Sequence, residues 1–587
     1  MRKLTHPLTI LGLSRFRVRT AALLSGLCLS GLLPLTMVKS AAAAERVTLT
    51  YGFLEISTSV EALRAYGENG TVDAELAPYL RLLSEDQRSQ FRQALQVRQN
   101  NIGPAQLSQF LYSSIGQNIL RYAGGVVRTA GRRDGAKGLR GALVLAAAEP
   151  EGLSLLGVIE NFPTRTVRID SLRGFQILGS LTNLVEETTR AIAAIENQSD
   201  QSAFPPTSPL PDLTQPGPFQ VSVQTLEIYD SERDRTLPTD LYLPARLDSS
   251  PAPLIVISHG LSGDRTGFVN VAQHLASYGF AVAALDHPGS DRRQLEDLLS
   301  GAAREIAKPT EFADRPRDVS YLIDELTQLS AANGPLANRL ETSRVGVIGH
   351  SFGGYTALAL AGAQLNFETL QTNCDSEDFI FNAANPSMLL QCTALAAPEQ
   401  FAADLRDPRV QAVMAMNPVD SSLFGQAGFS KIDIPILLVA GSADPVAPAL
   451  LEQIRPFTWL NQSEATAPTP DQYLALIEGG SHLYDVPSLA ENADSPLTNQ
   501  LVSSNIPLSY SYLRALSLGF MQTEIAQNLS YRGALSEPYI SRLSQPDLPL
   551  YVVNSLSEAA LTAPPADSSE ETGEETAPQP SAPIEQP

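Results

Sequence analysis

Residues 345–362 read VGVIGHSFGGYTALALAG. An apolar run breaks at Gly349-His350-Ser351-Phe352-Gly353-Gly354 and resumes in small residues. Val345 to Ile348 has the uninterrupted, β-branched character of a buried strand. Tyr355 to Gly362 carries the alanines and leucines of a helix. A serine at such a corner is forced into a strained backbone conformation that only small neighbours tolerate. Its Oγ then projects above the sheet, and the following helix aims its positive end at the same point. Gly-x-Ser-x-Gly between a strand and a helix therefore implies a nucleophile rather than an ordinary tight turn.

A serine hydroxyl is a weak nucleophile until a base takes its proton. After an elbow of this kind the acid and then the histidine follow along the chain. The six histidines are His6, His259, His274, His287, His350 and His482, and only His482 lies beyond Ser351. His482 is thus expected as the base, at the end of YLALIEGGSH (473–482), read as the last strand of the sheet. Asp444, directly after PILLVAGSA (435–443), is expected to orient it. Asp420, shortly after VQAVMAMNP (410–418), is the competing acid, and either aspartate could also serve merely as a turn former. An oxyanion needs two N–H donors. Phe352, next to the nucleophile, should supply one, and Leu261 in SHGLSG the other. His259, Gly260 and His350 are expected to shape and pack the corner.

Further out, FQVSVQTLEIY (219–229) and LPTDLYLP (237–244) read as an antiparallel hairpin. PLIVISHG (253–260), FAVAALDH (280–287) and the three runs around Ser351 and the two aspartates lack polar alternation, as strands covered on both faces do. Helical stretches separate them, so a mostly parallel, doubly wound α/β sheet is expected.

Several ordered motifs carry a family resemblance over about residues 219–485. ISHGLSGDR (257–265), AALDHPGS (283–290), RPRDVSYLIDEL (315–326), GHSFGGYTALALAG (349–362) and LLVAGSADPVAP (437–448) resemble bacterial proteins described as predicted dienelactone hydrolases. SHGL and GHSFGG are similar to platelet-activating-factor acetylhydrolases, and the N-terminal region looks like that of cyanobacterial secreted α/β hydrolases. The resemblance implies the α/β-hydrolase fold and hydrolysis of carboxylic esters, including short acyl groups on lipids. Dienelactone hydrolases use a cysteine nucleophile, so Ser351 argues against the lactone. A non-catalytic envelope binding or scaffold protein on the same fold is the alternative of a different class.

The remainder of the chain sets the context. It has 587 residues and a net charge of −22, with 41 basic against 63 acidic side chains. Such a balance disfavours a nucleic-acid partner. Residues 1–44 begin basic, continue through AALLSGLCLSGLLPLTMV (21–38) and end in alanines, which reads as a signal peptide for export; an uncleaved anchor is the other reading. Residues 45–196 read as a mostly helical domain, with VTLTYGFLEI (47–56) and TVRID (166–170) as strands. Capping boxes are expected at Thr58–Glu61 and Ser84–Gln87. Residues 197–218 contain six prolines and read as a linker before the 219–562 domain. Residues 563–587, acidic and proline-rich, read as disordered.

Arg121, Arg128, Arg132, Arg133, Lys137 and Arg140 form a basic cluster that could face anionic lipid head groups or simply be a solvated helix face. No metal-ligand spacing or phosphate-binding loop appears, so no cofactor is expected. Residues 364–407 are long for a connection between strands and are expected to form a lid, with Phe379, Ile380 and Leu389 as candidate apolar lining. Cys374 and Cys392 lie inside it and, in an exported protein, would pair as a disulfide.

Overall fold

The computed structural model describes residues 43–81, 83–199, 210–245, 250–375, 384–460, 471–482, 501–502 and 504–562. Nearly all of the expected leader, residues 200–209 of the expected linker, Phe379, Ile380 and the acidic tail lie outside them. The described residues form one compact unit.

The N-terminal region opens on β1 (Arg46–Tyr51) and β2 (Leu54–Ser59), followed by the two-residue strands β3 (Arg98–Gln99), β4 (Val127–Arg128) and β5 (Leu153–Ser154) and by β6 (Thr166–Asp170). The order β2-β1-β6-β4 makes a four-stranded sheet, with β6 parallel to β1. The expected single strand at 47–56 is in fact a hairpin. Gly52 takes φ 59°, the left-handed region that glycine occupies without steric cost, and turns the chain back on itself. The first helix is capped one residue later than expected, because Ser59 rather than Thr58 accepts the Ala62 N–H. At the second site the reciprocal box between Ser84 and Gln87 is present. Helices dominate the rest of the region and end in α1 (Ser171–Ser199).

The larger sheet comprises β7 (Val221–Asp230), β8 (Arg235–Pro244), β9 (Ala252–Ser258), β10 (Ala281–Leu285), β11 (Leu340–His350), β12 (Val410–Met416), β13 (Ile436–Gly441), β14 (Gln472–Ile477) and β15 (Leu550–Val553). Their order is β15-β14-β13-β12-β11-β9-β10-β8-β7. From β10 to β14 every pairing is parallel, and β7, β8 and β15 are the antiparallel margin. The hairpin and the parallel centre match the reading of the sequence. β15 does not, because that reading ends the sheet at β14.

Side chains alternate between two buried faces. Leu254, Val256, Val345 and Val347 enter one core, and Ile255, Ile257 and Ile348 the other. The first face is covered by α2 (Glu311–Leu329), α3 (Phe352–Leu360) and α4 (Ser421–Phe429); the second by the helix Val269–Ser277 and α5 (Ile506–Glu524). This double cover explains why the strands carry no polar alternation. The N-terminal region has a core of its own around Leu63, Leu95 and Phe162. It also contributes Ile115, Ala191 and Ile195 to the first face of the large sheet. Ser114 donates through both N–H and Oγ to Glu305, each at 2.8 Å. Residues 210–218 pack onto the body: Leu213 is fully buried, and its N–H donates to the Tyr539 hydroxyl at 2.9 Å.

Candidate active site

Ser351 joins β11 to α3 with φ 55° and ψ −116°. That conformation is costly for a residue with a Cβ and persists only where its surroundings impose it. Three features impose it. The Ser351 N–H donates to the Met416 carbonyl at 2.9 Å. A Cβ on Gly349 would lie 1.9 Å from the Gly353 oxygen, and one on Gly353 would lie 2.0 Å from the Ser258 oxygen. Gly354 packs its bare Cα against Pro418, where a Cβ would sit at 2.9 Å. The corner is therefore compressed between β9, β11 and the end of β12.

The structure brings Ser351, His482 and Asp444 together. His482 Nε2 lies 3.0 Å from Ser351 Oγ, and Nδ1 lies 2.7 Å from Asp444 Oδ2. All three are buried. Asp444 Oδ1 accepts from the N–H groups of Val446 at 2.7 Å and Ala447 at 2.9 Å, so the turn after β13 holds the carboxylate still. A carboxylate opposite Nδ1 requires the hydrogen there, which leaves Nε2 as an acceptor facing the hydroxyl.

The histidine is also held through its backbone. The His482 carbonyl accepts from His350 Nε2 at 2.8 Å and from Asn417 Nδ2 at 3.3 Å. Asn417 Nδ2 also reaches the Ser481 carbonyl at 3.0 Å, and its Oδ1 accepts the Gly441 N–H at 2.9 Å. Burial, and then the neighbouring His482, push His350 down to about 3, so it is a neutral donor. Its role exceeds the packing expected from the sequence. The sequence reading does not include Asn417; an asparagine directly after an apolar strand is the local signal for it, and in the structure it takes φ 42°.

Asp420 is elsewhere in its chemistry. Its carboxyl is fully buried and has no hydrogen-bond partner among the described residues. Burial, and then the neighbouring Glu452, push its pKa well above the usual carboxylate range. Glu452 collects the donors instead. It accepts from the Asp420 and Ser421 N–H groups at 2.9 and 3.0 Å, and from Ser421 Oγ at 2.7 Å. Asn385, Ser387 and Gln391 of the 364–407 insertion donate to it at 2.6, 2.8 and 3.0 Å. The insertion is thus anchored to the body at a buried carboxylate. Cys374 and Cys392 are joined in a disulfide with Cα atoms 5.8 Å apart, and Leu389 packs against the core between them.

Leu261 follows Gly260, where an added Cβ would stand 3.3 Å from Ser351 Cβ, so this loop runs beside the serine. Phe352 is the first residue of α3, its ring buried against Phe312 at 4.8 Å and under the Arg315 guanidinium at 4.6 Å. His259 Nε2 accepts the His287 N–H at 3.1 Å, which leaves Nδ1–H to donate to the Gly260 carbonyl at 2.7 Å. Arg315 donates to the His259 carbonyl, to Ser258 Oγ at 3.2 Å and to Ser290 Oγ at 2.9 Å. Burial lowers Arg315 to about 10. His287 spans Ser258 Oγ at 2.9 Å and Asp318 Oδ2 at 3.0 Å. The motifs ISHGLSGDR, AALDHPGS and RPRD therefore converge as one buried network beneath the Leu261 loop.

The basic cluster is partly engaged. Arg128 pairs with Asp170 at 3.5 Å and Arg132 with Glu55 at 2.6 Å, while Arg121 and Arg140 lie over the rings of Tyr122 and Tyr112. Among the described residues, no group of three or more His, Cys, Asp or Glu side chains is placed to hold a metal ion.

Residues 255–494 match the alpha/beta hydrolase family, and residues 43–170 match a family described as alpha/beta hydrolase of unknown function. The chain is an α/β-hydrolase-like protein. Its strand order and the place of its elbow after β11 accord with that fold. Among curated relatives, this hydrolase-like chain is 25% identical to platelet-activating factor acetylhydrolase of Gallus gallus, over 20% of the chain and 36% of that protein. It is 30% identical to the Cavia porcellus protein of the same name, over 18% and 31%. Cutinase est1 of Thermobifida alba is 29% identical over 25% and 41%. The chain thus spans 31–41% of the length of these relatives.

Proposed function

We propose that this protein is an exported serine hydrolase of carboxylic esters, acting on short-acyl or lipid esters outside the cytoplasmic membrane. The observation that carries the reading is the continuous hydrogen-bonded line Ser351 Oγ, His482, Asp444 with the serine at a strained elbow. Similarity to an acetylhydrolase and a cutinase supports esters as the substrate class.

Ser351 Oγ attacks the acyl carbon while His482 Nε2 takes the hydroxyl proton. Asp444 stabilises the imidazolium that results. The N–H groups of Phe352 and Leu261 bind the oxyanion, which develops beside the N-terminus of α3. Collapse breaks the ester bond, and the departing alkoxide takes the proton from Nε2. Water then enters, gives a proton to His482 and attacks the acyl-enzyme, and collapse returns that proton to Ser351 Oγ as the acid leaves.

A fluorophosphonate probe should label the wild type at Ser351, and Ser351→Ala should remove both labelling and ester cleavage. Full cleavage by the Ser351→Ala protein would end this reading. A folded wild type that neither takes the probe nor cleaves an ester series of graded chain length would point to the scaffold alternative.

A further inference from the structure

The first five turns of α1, residues 171–190, contain no buried residue. A helix with no buried side chain is ordinarily polar or crossed by ion pairs. This one reads SLRGFQILGSLTNLV from 171 to 185, with Arg173 as its single charge. Leu172, Phe175, Leu178, Leu181 and Val185 stand in solvent, Phe175 at 58% and Val185 at 65% exposure. Spaced three or four apart, they wind around one half of the helix.

The β1–β2 turn extends the same surface. Its tip residue Phe53 is 92% exposed, and the ring of Tyr51 lies 6.2 Å from that of Phe175. A contiguous apolar face of this extent on a water-soluble surface marks a contact site. No helix of the described residues is long and apolar enough to cross a membrane.

The charge around the face selects its partner. Arg132 and Arg168 share the single carboxylate Glu55 at 2.6 and 2.7 Å, so this corner of the hairpin keeps a net positive charge. Arg133 and Arg173 are exposed close to it in sequence. The asymmetry extends over the whole chain. Residues 43–185 carry 15 basic against 13 acidic side chains, whereas residues 186–587 carry 20 against 50. An anionic surface would repel the body and accept the hairpin and the start of α1.

We propose that the exposed half of α1 and the Phe53 turn form a docking face for an anionic lipid bilayer. The apolar side chains enter the head-group boundary, and Arg132, Arg133, Arg168 and Arg173 meet lipid phosphates. The far end of α1 is built into the body: Ala191 and Ile195 lie in its core, and Gln198 donates to the Ser555 carbonyl at 2.7 Å. The docked helix is therefore rigidly joined to the larger sheet. The proposal is independent of the ester chemistry.

Co-sedimentation of the full chain with phosphatidylcholine vesicles, with and without phosphatidylglycerol, tests it. The chain should bind the mixed vesicles, and raising salt from about 0.1 to about 1 M should weaken binding. Phe175→Asp/Leu178→Asp and Arg133→Glu/Arg173→Glu should each reduce binding ~10-fold, with circular dichroism and thermal midpoint unchanged. Absence of vesicle binding, wild-type binding by both double variants, or binding indifferent to phosphatidylglycerol would overturn the proposal. So would binding lost only on deletion of residues 1–42. A dimer in light scattering that Phe175→Asp/Leu178→Asp makes monomeric, without vesicle binding, would assign the face to a second copy instead.

Discussion

Asp420 and Asp444 stand at the carboxyl ends of adjacent strands, β12 and β13, and have opposite surroundings. Asp444 accepts two backbone N–H groups on one oxygen and His482 on the other. Asp420 finds no donor among the described residues, because Glu452 already takes its own N–H and that of Ser421. A buried carboxylate keeps its charge only where donors or cations replace the water it loses. The two aspartates are alike in type and fold position, so the supply of donors is what separates an acid that can orient a histidine from one whose pKa burial pushes well above the usual carboxylate range.

The comparison breaks most visibly at Asp444. Asp444→Asn should lower turnover ~10⁴-fold, because the amide cannot enforce the Nδ1–H tautomer. Kinetics on one soluble ester with both aspartate variants give the ranking. An Asp444→Asn enzyme of normal rate beside a crippled Asp420→Asn one would reverse the assignment.

Glu452 sharpens it next. Glu452→Gln turns one acceptor oxygen into a donor facing other donors, and should cost about 3 kcal/mol in a urea titration. Because half of its partners belong to the insertion, proteolytic cleavage within 384–402 should also quicken. Wild-type stability and wild-type resistance to protease would show that the insertion is held by other contacts.

The smallest effect belongs to Asp420. Asp420→Asn should leave turnover within about threefold of wild type. Its folded pKa lies above the unfolded value, so the native state holds a proton that the unfolded state gives up as pH rises past about 3.8. The wild type therefore loses stability from this group as pH rises above that value. The isosteric amide has no such proton to hold, so Asp420→Asn should be the more stable protein at pH 7, with an advantage that shrinks toward pH 4. A destabilised variant at pH 7 would mean that the carboxylate is charged and paired.

The parts of this design legible in the sequence are those carried by local pattern. Parallel strands buried on both faces must be unbroken apolar runs, which made β9 to β14 readable, and the glycine-flanked serine marked the corner between β11 and α3. His482 emerged because no other histidine follows Ser351. Features that depend on tertiary convergence stayed hidden. β15 is four residues long and separated from β14 by more than seventy. The hairpin at 46–59 read as one strand because its turn, Gly52-Phe53, lacks the asparagine or aspartate that usually announces one. The Glu452 donors are spread from Asn385 to Ser421 and meet only on folding. Proline content marked 197–218 as a linker and gave no sign that Leu213 would be wholly buried.

The glycines of the elbow also constrain how this sequence can change over time. A single methyl at Gly349 or Gly353 collides with main chain, the one obstacle that no rotamer change relieves. At Gly353 the colliding atom belongs to Ser258, ninety-five residues earlier, and at Gly354 the obstacle is Pro418, sixty-four residues later. No replacement of glycine at these sites is neutral unless distant strand ends move as well. Recombination that separates residues 258, 349–354 and 418 between dissimilar parents would therefore produce misfit corners, and the three segments should pass from ancestor to descendant as a block.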